Sequence, residues 1–68
     1  MATTAEVKAL LAKKYGKKVE DLEDSTLIKE IVGNASKLPA YLKEAFDVDL
    51  SISELEGASD ISDLVNLL

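Results

Sequence analysis

Ile28-Lys29-Glu30-Ile31-Val32-Gly33-Asn34-Ala35-Ser36-Lys37-Leu38-Pro39-Ala40-Tyr41-Leu42-Lys43-Glu44-Ala45-Phe46 decides how the rest of the chain is read. Leu27, Ile28, Ile31 and Val32 form one apolar cluster at helical spacing, and Asp24 or Ser25 stands where it can cap that short segment. Gly33 and Asn34 then break it. Ser36 suits the N-cap of a second, longer segment, and Pro39 falls in its first turn, where a missing N–H is harmless. Leu38, Tyr41, Leu42, Ala45 and Phe46 line one face of that helix. Two helical segments joined by a short polar break therefore stand at the centre of the chain.

Upstream, Val7, Leu10, Leu11 and Tyr15 repeat at helical spacing. Thr3 and Glu6 have the spacing of a capping box, Lys13 and Lys14 suit the negative end of a helix, and Gly16 suits a left-handed stop. A first helix is expected over residues 4–15. Residues 16–26 form a long polar connection, pinned by Val19 and Leu22. Downstream, Asp47–Leu50 leaves the central helix. Ser51 or Ser53 starts a single turn that ends near Glu56 and Gly57. Asp60 caps a last helix with Ile61, Leu64, Val65 and Leu68 on one face, and Asp63 stands at its capping-box position. No segment alternates like a strand. The expected fold is all-α: a small bundle of three principal helices plus one or two short ones, forming one domain over residues 1–68. A core this small carries a margin of about 3–5 kcal/mol.

Composition removes most chemistry. The 68 residues include no Cys and no His. Thiol and imidazole nucleophiles, disulfides and zinc sites built on those ligands are therefore excluded. The formal charge is −5 and every base is a lysine, which argues against a nucleic-acid partner. Residues 1–43 hold all eight lysines, whereas 44–68 hold Glu44, Asp47, Asp49, Glu54, Glu56, Asp60 and Asp63 with no base. Asp47 and Asp49 lack the periodic oxygen ligands of a calcium loop, so they read as a solvated turn and no metal is expected. No apolar run approaches the roughly 18 residues of a membrane span. Asn34-Ala35-Ser36 matches a glycosylation acceptor, but no secretory leader is seen, so the chain is expected to be soluble and cytoplasmic.

Ser36 is then the hydroxyl of interest, because a helix mouth places free N–H groups and a favourable dipole around it and tolerates a phosphate ester. Ser25, which also follows an acid, is a rival. The chain after it is too short before Gly33 for a long helix.

The layout resembles the acyl carrier protein family across nearly the whole chain. Tyr15-Gly16 is similar to the pair that ends that family's first helix, and the separation from Gly16 to Ser36 is similar to the family's. Leu22 and Ile28 fall at the loop's buried positions. Val32-Gly33-Asn34-Ala35-Ser36 is similar to the Leu-Gly-x-x-Ser run before the attachment serine, and the stretch from Ile28 to Ser36 most resembles the carrier domains of fungal-type, type I fatty acid synthases, within a domain that resembles type I fatty acid and polyketide synthase carriers. Glu44-Ala45-Phe46-Asp47-Val48-Asp49-Leu50 resembles the family's Glu-x-Phe followed by an apolar residue. The resemblance implies a non-catalytic carrier with 4′-phosphopantetheine covalently bound to Ser36. Its implied partners are a phosphopantetheinyl transferase and acyl-chain synthase enzymes or domains, with no membrane or nucleic acid and a monomeric isolated domain.

This chain departs from the pattern in three places. It has Ala35-Ser36-Lys37 where bacterial carriers read Asp-Ser-Leu. Its serine-bearing helix is about one turn shorter, and it carries Lys37, Lys43 and only Glu44 where carriers display acids. An unmodified carrier-like module of a synthase, with Ser36 as a helix cap, is therefore a second expectation. A generic helical interaction domain steered by its charge asymmetry is a third.

Overall fold

The computed structural model describes residues 3–33 and 35–68, with the backbone alone at Ala35. Five α-helices follow in order: α1 (Thr4–Tyr15), α2 (Ile28–Ile31), α3 (Leu38–Phe46), α4 (Ile52–Glu56) and α5 (Ile61–Leu67). Short 3₁₀ turns at Val19–Asp21 and Ala35–Lys37 complete the chain, and no strand occurs among the described residues. The fold is all-α, with three longer helices and two short ones.

Helix α1 starts and stops where its local signals predict. The Glu6 N–H donates to Thr3 Oγ1 (3.2 Å) while Glu6 Oε1 accepts from the Thr3 N–H (3.1 Å), a closed capping box. Gly16 takes the left-handed stop at φ 67°, which a side chain would strain. Val7 and Leu11 are completely buried, and the helix packs chiefly on α5.

The connection after α1 differs from expectation. Leu22 is buried, but Val19 is 47% exposed. The intervening 3₁₀ turn closes its own backbone, through Asp21 N–H to Lys18 O and Leu22 N–H to Val19 O, so one apolar anchor holds it. The Lys8–Asp24 ion pair (2.9 Å) fastens the connection's far end to α1.

Neither Asp24 nor Ser25 caps α2. Its N-cap is Leu27, without a side-chain bond. Partners come instead from a remote part of the chain. The Ile28 N–H donates to Ser59 O (3.0 Å), Ile61 N–H to Thr26 O (3.1 Å) and Ser62 N–H to Asp24 O (2.9 Å), around an antiparallel bridge between Leu27 and Asp60. Backbone groups orphaned at two helix starts thus satisfy one another.

Helix α3 also begins differently. Its N-cap is Lys37, already in the right-handed region (φ −97°, ψ −11°), so Ser36 belongs to the lead-in turn and is not the cap. The chain enters α3 through a 3₁₀ turn, and the extended residue that a serine cap needs is absent. Pro39 falls in the first turn as expected. Leu38 and Leu42 are buried and Tyr41 and Phe46 half-buried, but Ala45 is exposed, so the apolar stripe is narrower than its spacing suggests. Asn34, expected to help break α2, lies outside the described residues.

Ser51, not Ser53, caps α4 through a second closed box with Glu54. Asp60 accepts from the Asp63 N–H (2.8 Å) at α5 as expected, but Asp63 Oδ2 accepts from Ser59 N–H and not from the cap residue. Among the described residues the core is wholly apolar: Val7, Leu11, Leu22, Ile28, Ile31, Val32, Leu38, Leu42, Leu55, Ile61 and Leu64 meet in one cluster with Ala12 and Ala58. Each large side chain fully buried there contributes about 1.5–3 kcal/mol.

Candidate functional site

Val32 and Leu38 are both buried and both point their chemistry into the core, so the segment between them is held at each end. Between these anchors the 3₁₀ turn Ala35–Lys37 lifts Ser36 to the surface, where it is exposed. The structure therefore presents this hydroxyl-bearing residue on a short, tethered turn immediately before a helix.

Beside the turn lies an open apolar cleft of about 480 Å³. Its floor is formed by Ile28 and Val32 of the α2 region, Leu38 of α3, and Leu55 and Ala58 of α4 and its exit. Gly33 and Leu38, on either side of Ser36, both line it, and Lys29 and Glu56 mark its rim. The bridge between Leu27 and Asp60 ties residues 24–28 to the start of α5, and Leu27 and Ser59 at that junction also line the cleft. Such a cleft suits an apolar group with a polar end.

Charge around the site is mixed. Lys37 follows Ser36 directly and is exposed, and among the described residues neither Lys37 nor Lys29 joins an ion pair. Lys43 is different: its Nζ lies 3.0 Å from Asp47 Oδ1 and 3.5 Å from Asp49 Oδ2. The hydrogen bond it donates to Asp47, the nearby Asp49 charge and the weaker bond it donates to Asp49 all hold its pKa above the ordinary lysine value. The sequence counts Lys43 as a base on α3, but its charge is spent on two acids just past the helix. Asp47 and Asp49 thus clasp a lysine. Among the described residues no group of three or more acidic side chains is placed to hold a metal ion.

Ser25, the rival serine, is exposed in the turn before α2 but does not line the cleft, and its neighbours Asp24 and Thr26 give their carbonyls to α5. Tyr15 and Tyr41 form an edge-to-face pair with ring centroids 5.9 Å apart, and Lys14 Nζ lies 4.9 Å from the Tyr41 ring. This aromatic pair joins α1 to α3 and contributes nothing to the cleft lining. A second recess, about 390 Å³, is bordered by Glu6, Glu44, Phe46, Asp47 and Leu68 and involves none of residues 33–38.

The cleft was not legible in the sequence, because its walls come from segments up to thirty positions apart. Leu55 and Ala58, flanking Gly57, gave only the weak signal of apolar residues around a turn. The sequence matches no protein-family model and no curated protein. Among the described residues no helix is long and apolar enough to cross a membrane.

Proposed function

We propose that this chain is an acyl-carrier-like domain in which Ser36 is the attachment point for 4′-phosphopantetheine. The observation that carries the reading is the pairing of an exposed serine, held between two buried anchors, with an apolar cleft bordered by its own flanking residues. The residues present fit the group. Ser36 would hold the phosphodiester, Lys37 supplies a neighbouring positive charge, and the cleft offers apolar surface to a carried chain. When bound, the cofactor supplies the thiol that this chain lacks and bears the acyl group as a thioester. The protein's share is positioning and docking, without catalysis of its own.

Loading is a phosphoryl-group transfer assisted by a partner transferase. The Ser36 oxygen forms a bond to the phosphorus that bears the pantetheine arm in coenzyme A. The pyrophosphate bond breaks, adenosine 3′,5′-bisphosphate leaves, and the serine proton passes to a base on the transferase. The test is mass spectrometry of the purified chain after incubation with coenzyme A and a broad-specificity phosphopantetheinyl transferase. The expected result is a gain of one phosphopantetheine, absent in Ser36→Ala.

One observation favours a second reading, an unmodified carrier-like module within a synthase. The exposed side of α3 offers Lys37, Glu44 and a Lys43 already bound by Asp47 and Asp49, which is little for a loading enzyme to grip. No mass gain with several transferases supports that module and overturns the carrier.

A further inference from the structure

Two contacts orient α1 against α3. At one end Tyr15 of α1 meets Tyr41 of α3, with ring centroids 5.9 Å apart. At the other, Glu6 of α1 borders the same recess as Phe46 and Asp47 of α3. The helices therefore run in opposite directions, and the close of α1 lies toward the opening of α3. That end gathers charge of one sign. Lys13 and Lys14 occupy the last turn of α1, Lys17 and Lys18 follow Gly16, and Lys37 opens α3 next to Ser36. All are exposed except Lys14, which is half-buried with its Nζ 4.9 Å from the centroid of the Tyr41 ring. Lys37 stands four positions before Tyr41 in right-handed backbone, on the same face of α3 and about 6 Å back along its axis. Tyr41 thus joins cations of two helices in a strip that reaches the serine's turn.

Elsewhere the fold neutralises its lysines, Lys8 on Asp24 and Lys43 on Asp47 and Asp49. Among the described residues none of the five lysines at this end joins an ion pair. The acids that follow them, Glu20 and Asp21, lie in the 3₁₀ turn beyond the exposed Val19 and pair with none of them. The dipole of α1 accounts for Lys13 and Lys14. It does not account for Lys37, which stands at the positive end of α3, where a dipole offers a cation nothing.

We infer that this end of the domain is a docking face for an acidic protein surface, opposite in sign to the contact that the carrier resemblance implies. The inference rests on the carrier reading, which makes the partner the protein that acts on Ser36, and adds the charge of that partner's contact. A membrane or a nucleic acid is an extended polyanion, so it would also meet the field of the seven acids of residues 44–68. A protein can confine its carboxylates to the area of the strip, with Val19 and the Tyr41 ring as apolar contacts between the cations.

The test titrates the full, unmodified, isotope-labelled chain with an acetylated helical peptide that presents leucine between glutamates, and follows amide chemical shifts. Shifts are expected at residues 13–19 and 37–41, with binding at least ~5-fold weaker on going from about 0.05 to about 0.3 M salt. Lys37→Glu and Lys14→Glu are each expected to weaken binding at least ~5-fold. Lys29→Glu makes the same change of net charge at the cleft's rim and is expected to stay within ~2-fold of wild type. A saturating amount of peptide is also expected to slow loading of Ser36 by a broad-specificity transferase at least ~3-fold, because it covers the serine's turn. No binding, or equal losses in Lys37→Glu and Lys29→Glu, overturns the inference. Tighter binding to vesicles of equal phosphatidylserine and phosphatidylcholine, or to an oligothymidylate, overturns it as well. A bound peptide that leaves loading unchanged does the same, since the face then lies away from Ser36. A wild-type chain that takes no phosphopantetheine brings down the carrier reading, whereas the shift map and the paired variants still decide whether the face takes acids.

Discussion

Helices α1 and α3 each bury two large aliphatic side chains completely or almost so, but their ends are made by different residues. α1 opens with a reciprocal Thr3–Glu6 box and closes on a left-handed glycine. α3 opens on Lys37 with no side-chain cap and closes on Asp47, a side-chain-bearing residue at φ 56°. Local chemistry defines the first helix. Tertiary packing through Leu38 and Leu42 defines the second. The candidate site adjoins the helix whose ends obey the local rules least, where a chain optimised for stability alone would have placed a proper cap.

The largest effects come from the core residues that each helix contributes. Leu11→Ala and Leu42→Ala remove side chains with no exposed surface, and each is expected to cost about 2–5 kcal/mol. Against a margin of about 3–5 kcal/mol, either substitution leaves the domain largely unfolded, read as loss of helical circular dichroism at 25 °C. A mild Leu42→Ala would break the comparison, because α3 would then be held by something other than its packing.

Next come the caps. Thr3→Ala opens the α1 box and is expected to cost about 1 kcal/mol, seen as a lower urea midpoint. Lys37→Ser offers α3 a capping residue but is expected to change the midpoint hardly at all. With ψ at −11° the backbone at 37 is already helical, and a serine there cannot reach the N–H groups that an extended cap residue reaches. A gain equal to the Thr3 loss would show that α3 lacks only the right residue.

These two helix starts also explain how much of the molecule could be read in advance. Thr3, Glu6 and Gly16 act within a few positions of one another, as do Ser51 with Glu54 and Asp60 with Asp63, so spacing alone locates those ends. The start of α2 depends on Ser59, more than thirty positions away, and no local pattern contains that carbonyl. The site divides along the same line. Ser36 and its exposure follow from nearby residues, whereas the cleft beside it needs Leu55 and Ala58 folded back over Val32. Lys43 is a mixed case: Asp47 stands at the ordinary i, i+4 spacing, which the sequence offers, whereas Asp49 comes close only because the chain turns at a left-handed aspartate.

Tyr15 ties the two helices together at some expense. It ends α1, its ring meets Tyr41 of α3, and its hydroxyl oxygen is buried and meets no hydrogen-bond partner among the described residues. Tyr15→Phe is expected to stabilise the fold by up to about 1 kcal/mol by removing that unsatisfied group. The phenol's pKa is raised above 10, first by burial and then by the neighbouring Tyr41. A raised folded-state value means that the folded chain holds the proton more tightly than the unfolded chain. This contribution is intact below pH 10 and is lost as pH climbs through the folded value. Urea unfolding at pH 9 and pH 11 is expected to show a wider gap between the two proteins at the higher pH.

The smallest effect is the most direct comparison of the two helix ends. Gly16 and Asp47 occupy the same left-handed position after their helices, at φ 67° and 56°. Glycine has no Cβ to crowd the backbone there, whereas aspartate has one and also places a negative charge at the helix's negative end. Asp47→Gly removes both and is expected to raise stability by about 0.5 kcal/mol. The lost contact to Lys43 subtracts little from this, since both side chains are largely in water and Asp49 still faces the lysine. Asp47→Ala keeps the crowding Cβ without a side chain able to bond its own backbone, so it is expected to fall below wild type. The urea midpoints should therefore run Gly, Asp, Ala from high to low. Aspartate at the top of the series would mean that the Lys43 clasp, and not the backbone, sets where α3 stops.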